Sequence, residues 1–148
     1  MTTRSRQRGV AAVEFAFVLT GLLALFHGIA TFGSIFYTQQ AIARAAEDGV
    51  RAVALMPNGA APDLQRVRDV VLDSLAGSLV TPADATTPAT RRTWLATHVQ
   101  VAVAASAGRV TVTVSHRYGD NPLMPMTGAL PWVPDVLTRQ ATMARPAA

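Results

Sequence analysis

The sequence predicts an α+β chain. A long N-terminal transmembrane helix continues into a small domain with a second helix and a short antiparallel sheet of two to three strands. Three observations carry this expectation. Phe15 to Tyr37 contains no formally charged residue. A helical period then runs on to a Met56-Pro57-Asn58-Gly59 breaker. Beyond Val99 the apolar period changes to two.

The first element is the apolar run 15–37, rich in Phe, Leu and Val. At about 1.5 Å per residue it reaches roughly 35 Å, enough for a hydrocarbon core of about 30 Å. It is too long for the apolar region of a cleavable secretory signal, usually about 7–15 residues. Gly21, Gly28 and Gly33 are compatible with it, because glycine is commoner in membrane helices than in soluble ones. Arg4, Arg6 and Arg8 precede the run with no acid among them, whereas Arg44 and Arg51 follow it mixed with Glu47 and Asp48. The positive-inside rule therefore puts the N-terminus in the cytoplasm and the small domain outside it.

Past the span, Ile42, Ala46, Gly49 and Val53 keep a 4-3-4 spacing on one helical face. Gln39, Gln40, Arg44, Glu47, Asp48 and Arg51 give a wettable opposite side. The organisation expected is a basic leader over 1–9, a helix over 10–56 and an extracytoplasmic α+β domain over 57–148. That domain is small enough to need the second half of the long helix to complete its core.

In the domain, Asp63 is an N-cap candidate for a helix with Leu64, Val67, Val71, Leu75 and Leu79 on one face. Thr81 to Thr93, rich in Thr, Ala and Pro, reads as an exposed loop. Val99, Val101 and Val103, a Ser106-Ala107-Gly108 turn, then Val110, Val112 and Val114 read as a β-hairpin. Gly119 to Pro134, with four prolines, reads as a long surface excursion. Val136 to Met143 reads as a third strand with Leu137, Ala141 and Met143 on one face, a short helix being the alternative.

Composition narrows the function classes. Half of the 148 residues are apolar and 15% are charged, against about a quarter charged in a typical soluble domain. The absence of cysteine excludes disulfides, Cys-ligated zinc, iron–sulfur clusters and a Cys nucleophile. All 13 basic residues are arginine, and three of them lie in the first eight positions. Without those three, the net charge of +4 falls to 10 − 9 = +1. No basic stripe interleaved with aromatics remains, so nucleic acid is not an expected partner.

Residues that could carry chemistry are few. His27 lies within the span, where an ionisable group is by default a functional candidate, although a neutral imidazole in a lone anchor is the plainer reading. His98 and His116 flank the hairpin and could face each other, but no acid stands near them at metal-ligand spacing. There is no Gly-x-Ser-x-Gly elbow and no P-loop. Asp63, Asp69 and Asp73 read as the solvated face of a helix. No enzymatic activity, catalytic residue, metal or cofactor is expected. Glu14 stands apart as the one formal charge between Arg8 and Arg44, at the edge of the apolar run.

Arg8-Gly9-Val10-Ala11-Ala12-Val13-Glu14-Phe15, with an apolar helix behind it, resembles the processing site of type IV prepilins. The pattern is a basic leader, a glycine, four residues, a glutamate and an aromatic. More narrowly, Arg8 to Ala41 resembles the TadE-like family, minor pseudopilins of tight-adherence (Tad, or Flp-type) pilus systems. Val99 to Arg145 is more loosely similar, through His116-Arg117-Tyr118, Leu123 with Pro125, and Ala141-Thr142-Met143. Phe15 departs from related major pilins, in which tyrosine often follows the glutamate.

The resemblance implies cleavage by a prepilin peptidase between Gly9 and Val10, removing the leader charges Arg4, Arg6 and Arg8. It implies a single-pass protein of the bacterial inner membrane with a periplasmic domain, taking part in pilus assembly or initiation. Partners would be the peptidase, other pilins and pseudopilins, inner-membrane assembly proteins and membrane lipid; incorporation in the filament and residence at its base both fit. Glu14, followed by Phe15, would set register on assembly. Cleavage creates an α-amino group on Val10, largely protonated at neutral pH. Val10 and Glu14 are i and i+4, so amine and carboxylate share a helical face, or pair between neighbouring subunits. The alternative is an unprocessed single-span anchor carrying a periplasmic binding module. An anchored periplasmic hydrolase using His98 or His116 is a third reading.

Overall fold

A computed structural model describes residues 3–57, 61–106, 108–124 and 133–144, with side chains from Val10 onward. Asn58-Gly59, Ala107 and the excursion over 125–132 therefore lie outside the described residues, as does Arg145. Helix α1 spans Thr3–Ala54, 52 residues or about 78 Å. It is followed by α2 (Leu64–Ala76), α3 (Pro88–His98), β1 (Val99–Ser106), β2 (Arg109–Arg117), a 3-10 turn (Tyr118–Asp120) and β3 (Val136–Ala144).

The three strands form one antiparallel sheet in the order β1-β2-β3. Val101 pairs with Val114 and Val103 with Val112, so the alternating valines of the hairpin share one face. His116 lies opposite both Val99 and Leu137. The third strand is real, and Leu137 is buried beneath it.

The sheet packs its valine face on the second half of α1. Ile42, Ala46, Gly49 and Val53 are all buried there, as their spacing predicts. They meet Val67, Val71, Leu72 and Leu75 of α2, Leu95 of α3, and Val110, Val112 and Val114 of β2. The small domain thus completes its core with the long helix. Gly49 is a point of close approach: a Cβ built there would stand 2.9 Å from Val71 Cγ2 and 3.2 Å from Val112 Cγ1.

Two expectations are corrected. Thr81 to Thr93 is not an exposed loop throughout, because α3 begins at Pro88 and Thr81 and Ala85 are buried. Thr87 caps α3 by accepting from the Thr90 N–H, Thr90 reciprocates on the Thr87 N–H, and Pro88 takes the first turn. Only Leu95 of α3 is buried, so the helix rests on its cap rather than on a legible apolar stripe. On α2, Leu64 and Leu79 are exposed. Asp63 caps the helix, through Gln65 and Arg66 N–H groups, as expected. The helix ends at Ala76, however, so Leu79 lies beyond it, and Leu72 joins the buried face in its place.

Candidate functional site

The prepilin-like residues sit on the free half of α1. From Val10 to Phe26 every residue is exposed, and the most apolar 18-residue window has a mean hydropathy of 2.0 with none of it buried. An apolar surface exposed all round a helix is unfavourable in water and fits a bilayer. This half is long and apolar enough to span a membrane, which fits a single-pass membrane protein. Thr20, the one hydroxyl in that stretch, bonds back to the Ala16 carbonyl at 2.7 Å, so its hydroxyl is satisfied within the helix.

Glu14 and Phe15 project from this exposed stretch, and Glu14 makes no ion pair or hydrogen bond among the described residues. Val10 lies one turn below Glu14 on the same helix. The backbone of Gly9 and of Arg4, Arg6 and Arg8 continues the helix, while their side chains lie outside the described set. The helix backbone therefore runs without a break through the Gly9–Val10 bond.

Where the helix meets the domain, a polar stripe replaces the apolar one. His27, Thr31, Ser34 and Thr38 repeat the 4-3-4 spacing that Ile42, Ala46, Gly49 and Val53 continue. Thr31, Ser34 and Thr38 are buried. Their hydroxyls donate to the carbonyls of His27, Thr31 and Ser34 respectively, at 2.7–2.9 Å. Ser34 Oγ also lies 2.9 Å from the hydroxyl of Tyr118, a fully buried ring from the turn after β2. Tyr37 adds a second tie, accepting from the Leu79 N–H at 3.1 Å. Sequence reasoning missed this joint, although the periodic Thr/Ser stripe was its signal. Covering of the helix begins at His27, where the surface is half-buried, and Thr31 is its first fully buried residue, so the last turns of the 15–37 run carry protein on one face.

Two of the histidines, His98 and His116, flank the Trp94 indole. His98 stacks on Trp94 with ring centroids 4.0 Å apart and an 8° angle between planes. Its Nδ1 stands 2.9 Å from the Trp94 carbonyl, which can only accept, so Nδ1 carries a proton. His116 is buried, lies 5.9 Å from the same indole, and has no hydrogen-bond partner at either ring nitrogen among the described residues. Burial holds its pKa below the ordinary histidine value, outweighing the opposing pull of the His98 backbone and of Asp120. Among the described residues, no three His, Asp or Glu side chains are grouped to hold a metal. His27 also buries an Nε2 that has no hydrogen-bond partner among the described residues.

Residues 9–51 match a family model described as TadE-like protein. The matched segment runs from Gly9 through Val10, Glu14 and Phe15 to the charged cluster at Arg51, and bears out the likeness seen in the first part of the sequence. The looser similarity over Val99 to Arg145 lies beyond it. No curated protein and no solved structure matches the chain.

Proposed function

We propose that the protein is a minor pseudopilin of a Tad-type pilus or its associated secretion apparatus. In this reading it is made as a precursor, cut between Gly9 and Val10 by a prepilin peptidase, and acts by assembly rather than catalysis. The observation that carries the reading is the coincidence of the TadE-like match over residues 9–51 with a helix exposed all round from Val10 to Phe26. Gly9, Val10 and Glu14 stand at the start of that surface.

The geometry makes such a cut consequential. The stretch free all round is Val10–Phe26, and with the partly covered turn up to Ala30 it reaches about 31 Å, close to a hydrocarbon core of about 30 Å. Glu14 then lies one turn inside the apolar layer, where an acid costs up to about 2.5–3.5 kcal/mol at mid-depth and less towards the edge. Before the cut, Arg4, Arg6 and Arg8 hold the cytoplasmic end. Afterwards the Val10 amine is the nearest cation to Glu14, within its own helix or from a neighbouring subunit. In a low-dielectric bundle that pairing is strong and a mispaired charge is penalised, which would set the axial register of a joining subunit. Ala11, Ala12, Ala16 and Gly21 leave the surface small enough for close helix approach. The partners are the peptidase, other pilins and pseudopilins, inner-membrane assembly proteins and lipid. The N-terminus is cytoplasmic and the domain periplasmic.

Intact-mass and N-terminal peptide spectrometry of the protein from its host, with and without the peptidase, tests this. The expected result is a chain beginning at Val10 that reverts to the full-length form when the peptidase is deleted. A full-length chain in both strains would overturn the reading in favour of a plain single-span anchor.

A further inference from the structure

The outer seam between α1 and α2 forms an open groove of about 900 Å³. It runs along α1 from Tyr37 to Leu55, about 27 Å or five helical turns. Its floor includes Ala41, Ala52 and Val70, and Leu55 at its far end is 82% exposed. Arg44 enters from α1 and Arg66 from α2.

These two arginines are left without partners among the described residues, as are Arg109 and Arg117 of β2, which lie outside the groove. Arg51 pairs with Glu47 and Asp48, and Arg92 with Asp69 and Asp73. Arg68 and Arg91 donate to backbone carbonyls, and Arg139 to Gln39 and its neighbour's carbonyl. Arg44 and Arg66 have no hydrogen bond or ion pair from their guanidinium groups among the described residues. The one acid in the groove, Asp48, is already held by Arg51 and the Ser74 hydroxyl.

We propose that this groove docks an acidic amphipathic helix of a partner protein. A third helix laid in the seam meets α1 and α2 at ordinary interaxial distances of about 8–10 Å. The alanine floor permits close approach, Leu55 contacts its apolar edge, and carboxylates on its flanks reach Arg44 on one side and Arg66 on the other. Guanidinium–carboxylate pairs at such a rim give direction and register to the docked helix. The groove starts at Tyr37, beyond the stretch exposed to lipid, and Arg44 lies further out, which favours a protein segment over a lipid headgroup. The inference is independent of the cleavage at Gly9, because the groove belongs to the domain whether or not the leader is removed.

The test uses the full chain in phosphatidylcholine nanodiscs. One probe is a fluorescein-labelled peptide of about five helical turns with an Ala/Leu face flanked by glutamates; a second has lysine in place of every glutamate. Anisotropy should show saturable binding of the glutamate peptide alone, weakening as salt rises. The double variant Arg44→Gln/Arg66→Gln should weaken it at least about tenfold. Gln40→Trp, which obstructs the groove and keeps both arginines, should also weaken it. Circular dichroism on each variant confirms that the fold is retained. Equal binding of the lysine peptide, no saturable binding, or affinity unchanged in the double variant would overturn the proposal. Displacement of the peptide by equimolar tripolyphosphate would overturn it too, by showing a simple anion site.

Discussion

The hydroxyl of Tyr118 donates to Ser34 Oγ across 2.9 Å, joining positions 84 residues apart in the chain. Ser34 has already given its own proton to the Thr31 carbonyl, so it can only accept from tyrosine. The bond sits at the first turns of α1 that the domain covers, and both side chains are buried. It therefore fixes the domain to the helix where the free apolar half ends. Tyr118→Phe keeps the ring and removes the donor, leaving Ser34 otherwise satisfied. The expected loss is about 1 kcal/mol, read as a Tm lower by about 4 °C in detergent. A Tm equal to the parent's would show that the bond contributes nothing.

Gly49 of α1 stands close against both α2 and β2. Alanine there would gain up to about 1 kcal/mol of helix propensity. Its methyl, however, would have to displace Val71 and Val112, whose nearest methyls stand at 2.9 and 3.2 Å. Both are β-branched and stiff, and both are fully buried. Overpacking of this kind costs about 1–3 kcal/mol, so Gly49→Ala should lower stability. Gly77 makes the control, because a Cβ there meets only the Ser74 carbonyl at 3.7 Å. Chemical denaturation of both variants, with Gly77→Ala at least as stable as the parent and Gly49→Ala less so, is the expected pair of results.

The contrast between these two contacts explains what could be read from the chain alone. The face Ile42-Ala46-Gly49-Val53 and the alternating valines of the hairpin announce themselves because burial repeats with the period of the element. Even the register follows, since Val101 opposite Val114 keeps both sets on one face. Helix α3 gave no such signal: one buried leucine and a Thr-Pro cap look like a loop in composition. Ser34 and Tyr118 were opaque for a different reason. A buried hydroxyl pair has no hydrophobic signature, and its partners are far apart in the sequence. The Gly9–Glu14 motif was legible as a spacing, and the helix shows Val10 to Glu14 exposed, but its proposed chemistry involves other molecules. The groove at Arg44 and Arg66 needed three dimensions, because nothing in the sequence says which arginines lack partners.

His116 makes stability depend on pH. Burial lowers its folded-state pKa, the nearby His98 charge acts in the same direction, and the His98 backbone and the Asp120 carboxylate oppose them without overcoming them. Unfolding releases the ring to its ordinary value of about 6.5. Below that pH the unfolded chain takes up a proton that the folded chain refuses, so the unfolded state gains. The stabilisation is thus fully present above about pH 6.5 and is lost as pH falls towards the folded-state value. Denaturation midpoints followed downward from pH 7.5 should decline in the parent and decline less in His116→Leu, which fills the site without a titrating group. Parallel pH profiles for the two proteins would exclude His116 as the cause.

Glu14 should separate processing from assembly. Its carboxylate makes no contact within the chain among the described residues, so Glu14→Gln, which keeps shape and removes charge, is expected to leave folding of the domain unchanged. The Gly9–Val10 bond lies more than a helical turn away, and the mature chain should still begin at Val10. What should be lost is the pairing between the new amine and the carboxylate that the proposed assembly step uses. In the host, pull-down of other pilins with the mature Glu14→Gln protein should fall several-fold, while its level in the inner-membrane fraction stays the same. Introducing Gly9→Leu instead should leave the precursor uncut and give the same loss of association. If Glu14→Gln associates normally while cleavage remains intact, the charge has no part in assembly, and the register must come from the small-residue face around Ala11 and Ala12.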